Sequence, residues 1–125
     1  LKLLLDTNAF LLMMIGRPLT RPVDRALNRR DTECFVSIVT AWEIASKRTL
    51  SLSATDVEGG IAKMSAILLP IKFQHLDELS RLEIFTNHRD PFDRLLIAQA
   101  IAEDLSMVSS DMRFGNYKRL HVLWD

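Results

Sequence analysis

Four acidic residues stand where a chain of alternating strands and helices would bring side chains together. Asp6 ends the apolar run "LKLLLD", and Glu43 lies early in the segment after "ECFVSI". Asp93 sits in "DPFDRLLIAQAIAED", and Asp111 closes "LSMVSSD". Carboxylates that converge repel one another, and some hold their protons more tightly unless a cation neutralises them. Oxygen-only donors suit Mg²⁺ or Mn²⁺, which keep several waters and bridge to phosphate oxygens. Two such ions can activate a water and stabilise the leaving oxygen of a phosphodiester. The set points to metal-dependent phosphoryl chemistry.

Each acid taken alone also has a purely structural reading. Asp6 can be a helix N-cap. Thr40-Ala-Trp-Glu43 fits a capping box, and Glu43 and Lys47 are spaced for an i, i+4 ion pair. Asp90-Pro91-Phe92-Asp93 is a complete helix start, with Asp90 as N-cap, Pro91 at the first helical position and Asp93 facing the helix dipole. Asp111 can be a turn former. The functional reading rests on the four together.

The elements that must position them follow from periodicity and punctuation. Four Gly and four Pro leave few interruptions, so helix should predominate. The opening "LKLLLD" is too uniformly apolar for a half-exposed strand and predicts a buried one. Helices are expected over "TNAFLLMMI" to Gly16, from Arg21 to Arg30, over "VTAWEIASKRTL", from Asp56 to Ala66, over "HLDELSRLEI", and over "DPFDRLLIAQAIAED". Strands are expected at "ECFVSI", "LSMVSSD" and "LHVLW", and "ILLPI" is a short apolar run before Lys72. Ile38, Trp42 and Ala45 form an expected buried stripe with Glu43 beside it. This alternation predicts a mainly parallel sheet with helices on both faces, whose ligands sit beyond the C-terminal ends of the strands.

Composition bounds the rest. The chain has 125 residues, one domain's worth, expected to span 1–125. Sixteen basic and sixteen acidic residues cancel, which argues against wholesale coating of nucleic acid while allowing local basic patches. Cys34 is the only cysteine, so no internal disulfide or Cys-based zinc site can form, and a buried inert thiol is expected. No run is long and apolar enough to span a bilayer and no cleavable leader is visible, so the expected location is the cytoplasm.

Arg17, Arg21, Arg25 and Arg29 recur every four residues, with Arg30 extending the series. On a helix this spacing makes a ridge that could contact RNA phosphates or an acidic protein tail, or simply face solvent. Arg94, next to Asp93, could reach a phosphate or belong to the helix surface. His75 and His121 lack partners at metal-ligand spacing and read as packing or surface residues. Met13, Met14 and Trp124 read as core.

The segments "LLLDTNAFL", "VSIVTAWEIASK", "HRDPFDRLLIAQA" and "LSMVSSD", in this order and spacing, resemble PIN-domain nucleases, and most of all the VapC-type toxins of toxin–antitoxin pairs. The resemblance covers nearly the whole chain, and "DPFDRLLIAQA" is its most specific block. It implies a PIN-like three-layer α/β/α fold with a central, mainly parallel sheet of about five strands. It places the family's acidic, Mg²⁺-binding cluster on Asp6, Glu43, Asp93 and Asp111, with Ser109 two residues before the last acid. Thr7, Asn8 and Ser109 would support the cluster from outside; Asn8 stands where close relatives often carry His. The resemblance implies endoribonuclease activity, inhibition by a small antitoxin, and a homodimer.

Two other enzyme classes fit less well. A haloacid-dehalogenase-like phosphohydrolase needs a carboxylate two residues after the first acid, where this chain has Asn8. A response-regulator receiver needs a Lys after a late strand, and "LHVLWD" has none. A non-catalytic α/β binding domain, with all four acids as caps, is the remaining alternative.

Overall fold

The computed structural model describes all residues 1–125. Five strands form one all-parallel sheet in the order β3-β2-β1-β4-β5. They are β1 (Lys2–Leu5), β2 (Glu33–Ser37), β3 (Ile67–Leu69), β4 (Ser106–Val108) and β5 (Val122–Leu123). Six α-helices connect and cover them: α1 (Thr7–Met14), α2 (Arg21–Leu27), α3 (Ile38–Ser46), α4 (Ala54–Lys63), α5 (Phe73–Ser80) and α6 (Pro91–Glu103). No helix is long and apolar enough to cross a membrane.

The uniform hydrophobicity of β1 has a direct cause, because both faces of the sheet are covered. Leu3, Leu4 and Leu5 are fully buried, yet alternate side chains enter different cores. Leu4 packs with Leu95, Leu96 and Ile97 of α6 and with Met107, whereas Leu3 and Leu5 pack with Phe10, Val23, Ile44 and Val57 from α1 to α4. Each such leucine contributes roughly 2 kcal/mol by leaving water. Helix α6 lies deep in the first core, with every residue from Leu95 to Ala100 buried.

Local chemistry sets the helix limits. Thr20 caps α2, Ser37 caps α3 and Asp90 caps α6, each accepting a backbone N–H near the helix start. Helix α1 ends at Met14, and the chain turns away at Gly16, whose φ of +73° suits a residue without a Cβ. There the Gly16 and Arg17 amides close back onto the Met13 and Leu12 carbonyls. Asp104 ends α6 in the same left-handed conformation.

Several sequence expectations need correction. Helix α3 ends at Ser46, and a separate 3-10 turn covers Arg48–Leu50. Helix α4 begins at Ala54, earlier than Asp56, because Ser53 and Asp56 form a capping box. Helix α5 starts at Phe73 and stops at Ser80, which leaves "RLEI" outside it. The expected stripe of Ile38, Trp42 and Ala45 faces outward, with Trp42 56% exposed. The buried face of α3 instead carries Val39, Thr40, Ala41, Glu43 and Ile44. Cys34 is half-buried rather than fully enclosed, though burial still pushes its thiol up to about 11.

Candidate active site

The chain runs from β1 out to β3 on one side of the sheet, and β4 and β5 lie on the other side of β1. The strand order therefore reverses between β1 and β4, the place where open parallel sheets bind ligands. Asp6 directly follows β1, and its backbone N–H donates to the Val108 carbonyl at 3.1 Å, extending the sheet to the rim. Asp111 stands just past β4, Asp93 is in the first turn of α6, and Glu43 comes from α3. All four acids line one cleft of about 370 Å³, together with Thr7, Asn8, Lys47 and Phe114.

Their surroundings differ. Asp6 is 6% exposed, and its carboxylate caps α1 by accepting the Ala9 N–H at 2.8 Å. Burial raises its pKa from the usual 3.8 to about 6; the Ser109 hydroxyl and the Ala9 amide oppose the rise, and the Asp93 and Asp111 charges add to it. Asp93 is raised as well, again chiefly by burial, with the neighbouring His88 opposing. Asp111 moves the other way, held down by Arg113, whose guanidinium grips both carboxylate oxygens and also donates to the Asn87 carbonyl. The expected rise thus occurs at two acids, and loss of solvent drives it more than mutual repulsion does.

Glu43 is buried and anchored at both oxygens. Thr7 Oγ1 donates to Oε1 at 2.7 Å, and Lys47 Nζ donates to Oε2 at 2.6 Å. That bond is the main cause of the upward shift of the Lys47 ammonium. The i, i+4 pair of the sequence reading is present, but the capping box is not: Ser37 caps α3, and Thr40 is buried with its hydroxyl 3.2 Å from that of Thr7. Since Thr7 donates to Glu43, its oxygen is free to accept from Thr40.

Ser109 is buried, and its hydroxyl accepts the Asp111 N–H at 3.0 Å, fixing the turn that presents Asp111. Asn8 is exposed on the cleft wall. Asp90 caps α6 by accepting the Asp93 N–H at 3.0 Å. Arg94 points away from phosphate-contacting duty: its guanidinium donates to the Glu83 carbonyl at 2.8 Å and to the Tyr117 hydroxyl at 3.3 Å.

The arginine series is only partly helical. Arg21 and Arg25 lie on α2, Arg17 precedes it, and Arg29 follows it in an ion pair with Asp31. Arg21, Arg25 and Arg29 line a surface hollow with Asp24 and Asn28, none of which lines the acidic cleft.

Sequence reasoning missed His88. One ligand-capable atom from each of His88, Asp93 and Asp111 lies within 4.8 Å of the others. The buried His88 ring contacts Asp93 through Nε2 at 3.1 Å. The available signal was its place just before a helix that begins with an acid at its third position. Arg113, two residues after Asp111, was missed as well.

The donor set fits a hard divalent cation. Asp6 and Asp93 are destabilised as anions by burial, and Asp111 is already neutralised by a cation from the protein itself. A positive ion among them would relieve the first two.

A family model described as PIN domain matches residues 3–120. No curated protein sequence matches the chain. Among solved structures, the chain is similar to VapBC2 from Rickettsia felis bound to a DNA fragment from its promoter, at 18% identity and TM-score 0.72, over 100% of both chains. It is similar to DNA-bound VapBC from Salmonella typhimurium, at 18% identity and TM-score 0.70, over 98% of this chain and 97% of the other. It is also similar to VapBC-5 from Mycobacterium tuberculosis, a member of a toxin–antitoxin family, at 16% identity and TM-score 0.62, over 99% and 98%. With the sheet order, the acidic rim and a family match over almost its full length, the chain belongs to the PIN domain family.

Proposed function

We propose that this chain, as one nuclease domain over residues 1–125, is a Mg²⁺- or Mn²⁺-dependent endoribonuclease and the toxin of a toxin–antitoxin pair. The observation that carries the proposal is the convergence of Asp6, Glu43, Asp93 and Asp111 on one cleft at the reversal of strand order. Asp6, Asp93 and Asp111 would hold the ion or its waters, and Glu43 would complete the cluster. Bound there, the ion supplies polarisation of the phosphodiester and makes water a competent nucleophile near neutral pH.

The chain's own residues do the positioning. Thr7 and Lys47 hold the Glu43 carboxylate from two sides, which leaves it oriented along the cleft wall. Ser109 fixes the backbone of Asp111, and the Ala9 amide fixes the rotamer of Asp6. Asn8, exposed on the wall, can hydrogen-bond a water or the substrate. Neutralising the acids is what lets a polyanion approach.

Partners follow the same reading. VapBC complexes with this fold support a small antitoxin as partner, and the family resemblance supports a homodimer and a cytoplasmic setting. Arg17, Arg21, Arg25 and Arg29 would serve RNA phosphates or an acidic antitoxin segment. The decisive experiment is to induce the wild-type chain and Asp93→Asn in cells and map new RNA 5′ ends. Ends that appear only with the wild type support the proposal; identical maps defeat it.

A further inference from the structure

We propose that Arg94, Tyr117 and His88 form a hydrogen-bond relay with one fixed direction that holds the Asp93 carboxylate in place, which makes His88 a positioning residue and not a metal ligand. The inference rests on the reading that Asp93 binds a divalent ion.

The direction follows from which groups can only donate and which can only accept. Arg94 is a pure donor, and its Nη1 reaches both the Glu83 carbonyl at 2.8 Å and the Tyr117 oxygen at 3.3 Å. Because the Tyr117 oxygen accepts from Arg94, the phenolic proton is free for the other neighbour, His88 Nδ1 at 3.0 Å. At the far end the ionised Asp93 carboxylate only accepts, so with it His88 Nε2, at 3.1 Å from Oδ2, carries a proton. A neutral imidazole has one proton, and here it belongs on Nε2. One arrangement satisfies every polar atom in the row.

Burial removes competitors. His88 and Tyr117 are each 1% exposed, so the two rings have one another and their protein neighbours as partners and almost no solvent contact. Phe114 packs on His88 with ring centroids 5.2 Å apart, and Phe85 meets Tyr117 edge-on at 5.0 Å. Asp93 is pinned a second time through its backbone, whose N–H is held by Asp90. The relay spends Oδ2 on the protein and leaves Oδ1 for a ligand. It also accounts for Arg94, whose guanidinium is engaged inside the fold.

A ring used this way has no lone pair for a metal, since Nε2 bears the proton and Nδ1 faces Tyr117. Partners one step removed from a metal typically tune affinity about 10- to 100-fold.

The test uses the full chain and Mn²⁺ alone, with binding followed by electron paramagnetic resonance and His88 followed by ¹⁵N NMR in the metal-free protein at mildly alkaline pH. The relay requires the His88 proton on Nε2 and none on Nδ1. Tyr117→Phe should fold normally and weaken Mn²⁺ binding about tenfold. His88→Leu should lose at least as much. His88→Gln should recover most of the affinity, because its amide can donate to Asp93. In the His88→Gln background, Tyr117→Phe should add nothing.

A proton on Nδ1 overturns the relay. So does unchanged Mn²⁺ affinity in a folded Tyr117→Phe, or an equal penalty from that change in both backgrounds, which would indicate packing alone. A wild-type chain that binds no Mn²⁺ defeats the divalent-ion reading instead, and the nitrogen signals of His88 then decide the relay separately.

Discussion

Two buried histidines of this protein each face a carboxylate, and the two pairs have opposite electrostatic fates. At the α5–α6 interface, His75 Nε2 lies 2.6 Å from Glu103, which also accepts from Gln74 at 2.7 Å and has Lys72 Nζ at 3.7 Å. His75 Nδ1 accepts the Lys72 amide, and Gln99 bridges Ser37 and the Pro70 carbonyl beside it. Every neighbour of Glu103 donates, and the His75 hydrogen bond leads in lowering its pKa. At the cleft, His88 faces Asp93, but the next charged neighbours of Asp93 include Asp90 and Glu43, and burial holds its pKa up. A histidine–carboxylate pair closes a structural network in one place, and in the other it leaves a carboxylate whose burial still holds its pKa up. Donors on all sides make a carboxylate structural, whereas burial among other carboxylates makes it depend on something from outside.

The sharpest way to break this contrast is to remove the charge of a cleft acid. Asp6→Asn and Asp93→Asn should each abolish RNA cleavage and Mn²⁺ binding, beyond the roughly hundredfold loss typical of an outer partner. In-line RNA cleavage assays and Mn²⁺ titration check this, and a variant with wild-type cleavage would remove that acid from the site.

Next comes stability without metal. The folded-state pKa of Asp6 lies above its unfolded value, so folding favours its protonated form. Its contribution is fully favourable below about 3.8 and is lost as pH rises through about 6, a change on the order of 3 kcal/mol. Asp6→Asn, which keeps a good N-cap, should therefore raise metal-free stability near pH 7 by about 1–3 kcal/mol and flatten that part of the pH profile. Urea melts across this range with and without Asp6 test the sign; a destabilised variant at neutral pH would reverse it.

The structural network should answer in the opposite way. Glu103→Gln weakens charge-assisted bonds to His75 and Gln74 and should cost about 1–2 kcal/mol in a denaturant melt, with Mn²⁺ affinity unchanged. Altered Mn²⁺ binding would mean that the two networks are coupled through α6.

The smallest effects are expected where a cap is preserved or only the surface charge changes. Asp90→Asn should change stability by no more than about 0.5 kcal/mol, because Asn caps as well as Asp. Exchanging Arg21 and Arg25 for Glu should weaken RNA or antitoxin binding in a pull-down while leaving Mn²⁺ titration unaltered. Unchanged affinity for both partners would show that the ridge is only a solvated face.

Much of the fold was legible from residue types. The run Leu3–Leu5 announced a strand covered on both faces, and Asp90-Pro91 marked the start of α6 to the residue. The rim placement of Asp6 and Asp111 followed from acids that terminate apolar runs. The orientation of α3 was not legible, because Ile38, Trp42 and Ala45 are as apolar as the residues that are actually buried. Thr40 and Ser37 are both competent caps, and only the point where β2 stops pairing with β3 selects Ser37. His88 escaped notice because its partners, Asp93 and Tyr117, lie on separate elements.

The amino-acid order by itself determined the alternation of strands and helices and most helix starts, since capping, φ preference and hydrophobic period act over a few neighbouring residues. It also determined which acids would reach the rim of a parallel sheet. Only the tertiary structure decided that β4 pairs with β1, and so which acids share a cleft. It alone decided that Asp6 and Asp93 are destabilised as anions while Asp111 is held by Arg113. A carboxylate's charge state depends on what surrounds it within a few ångströms, and those neighbours come from parts of the chain that local rules never compare.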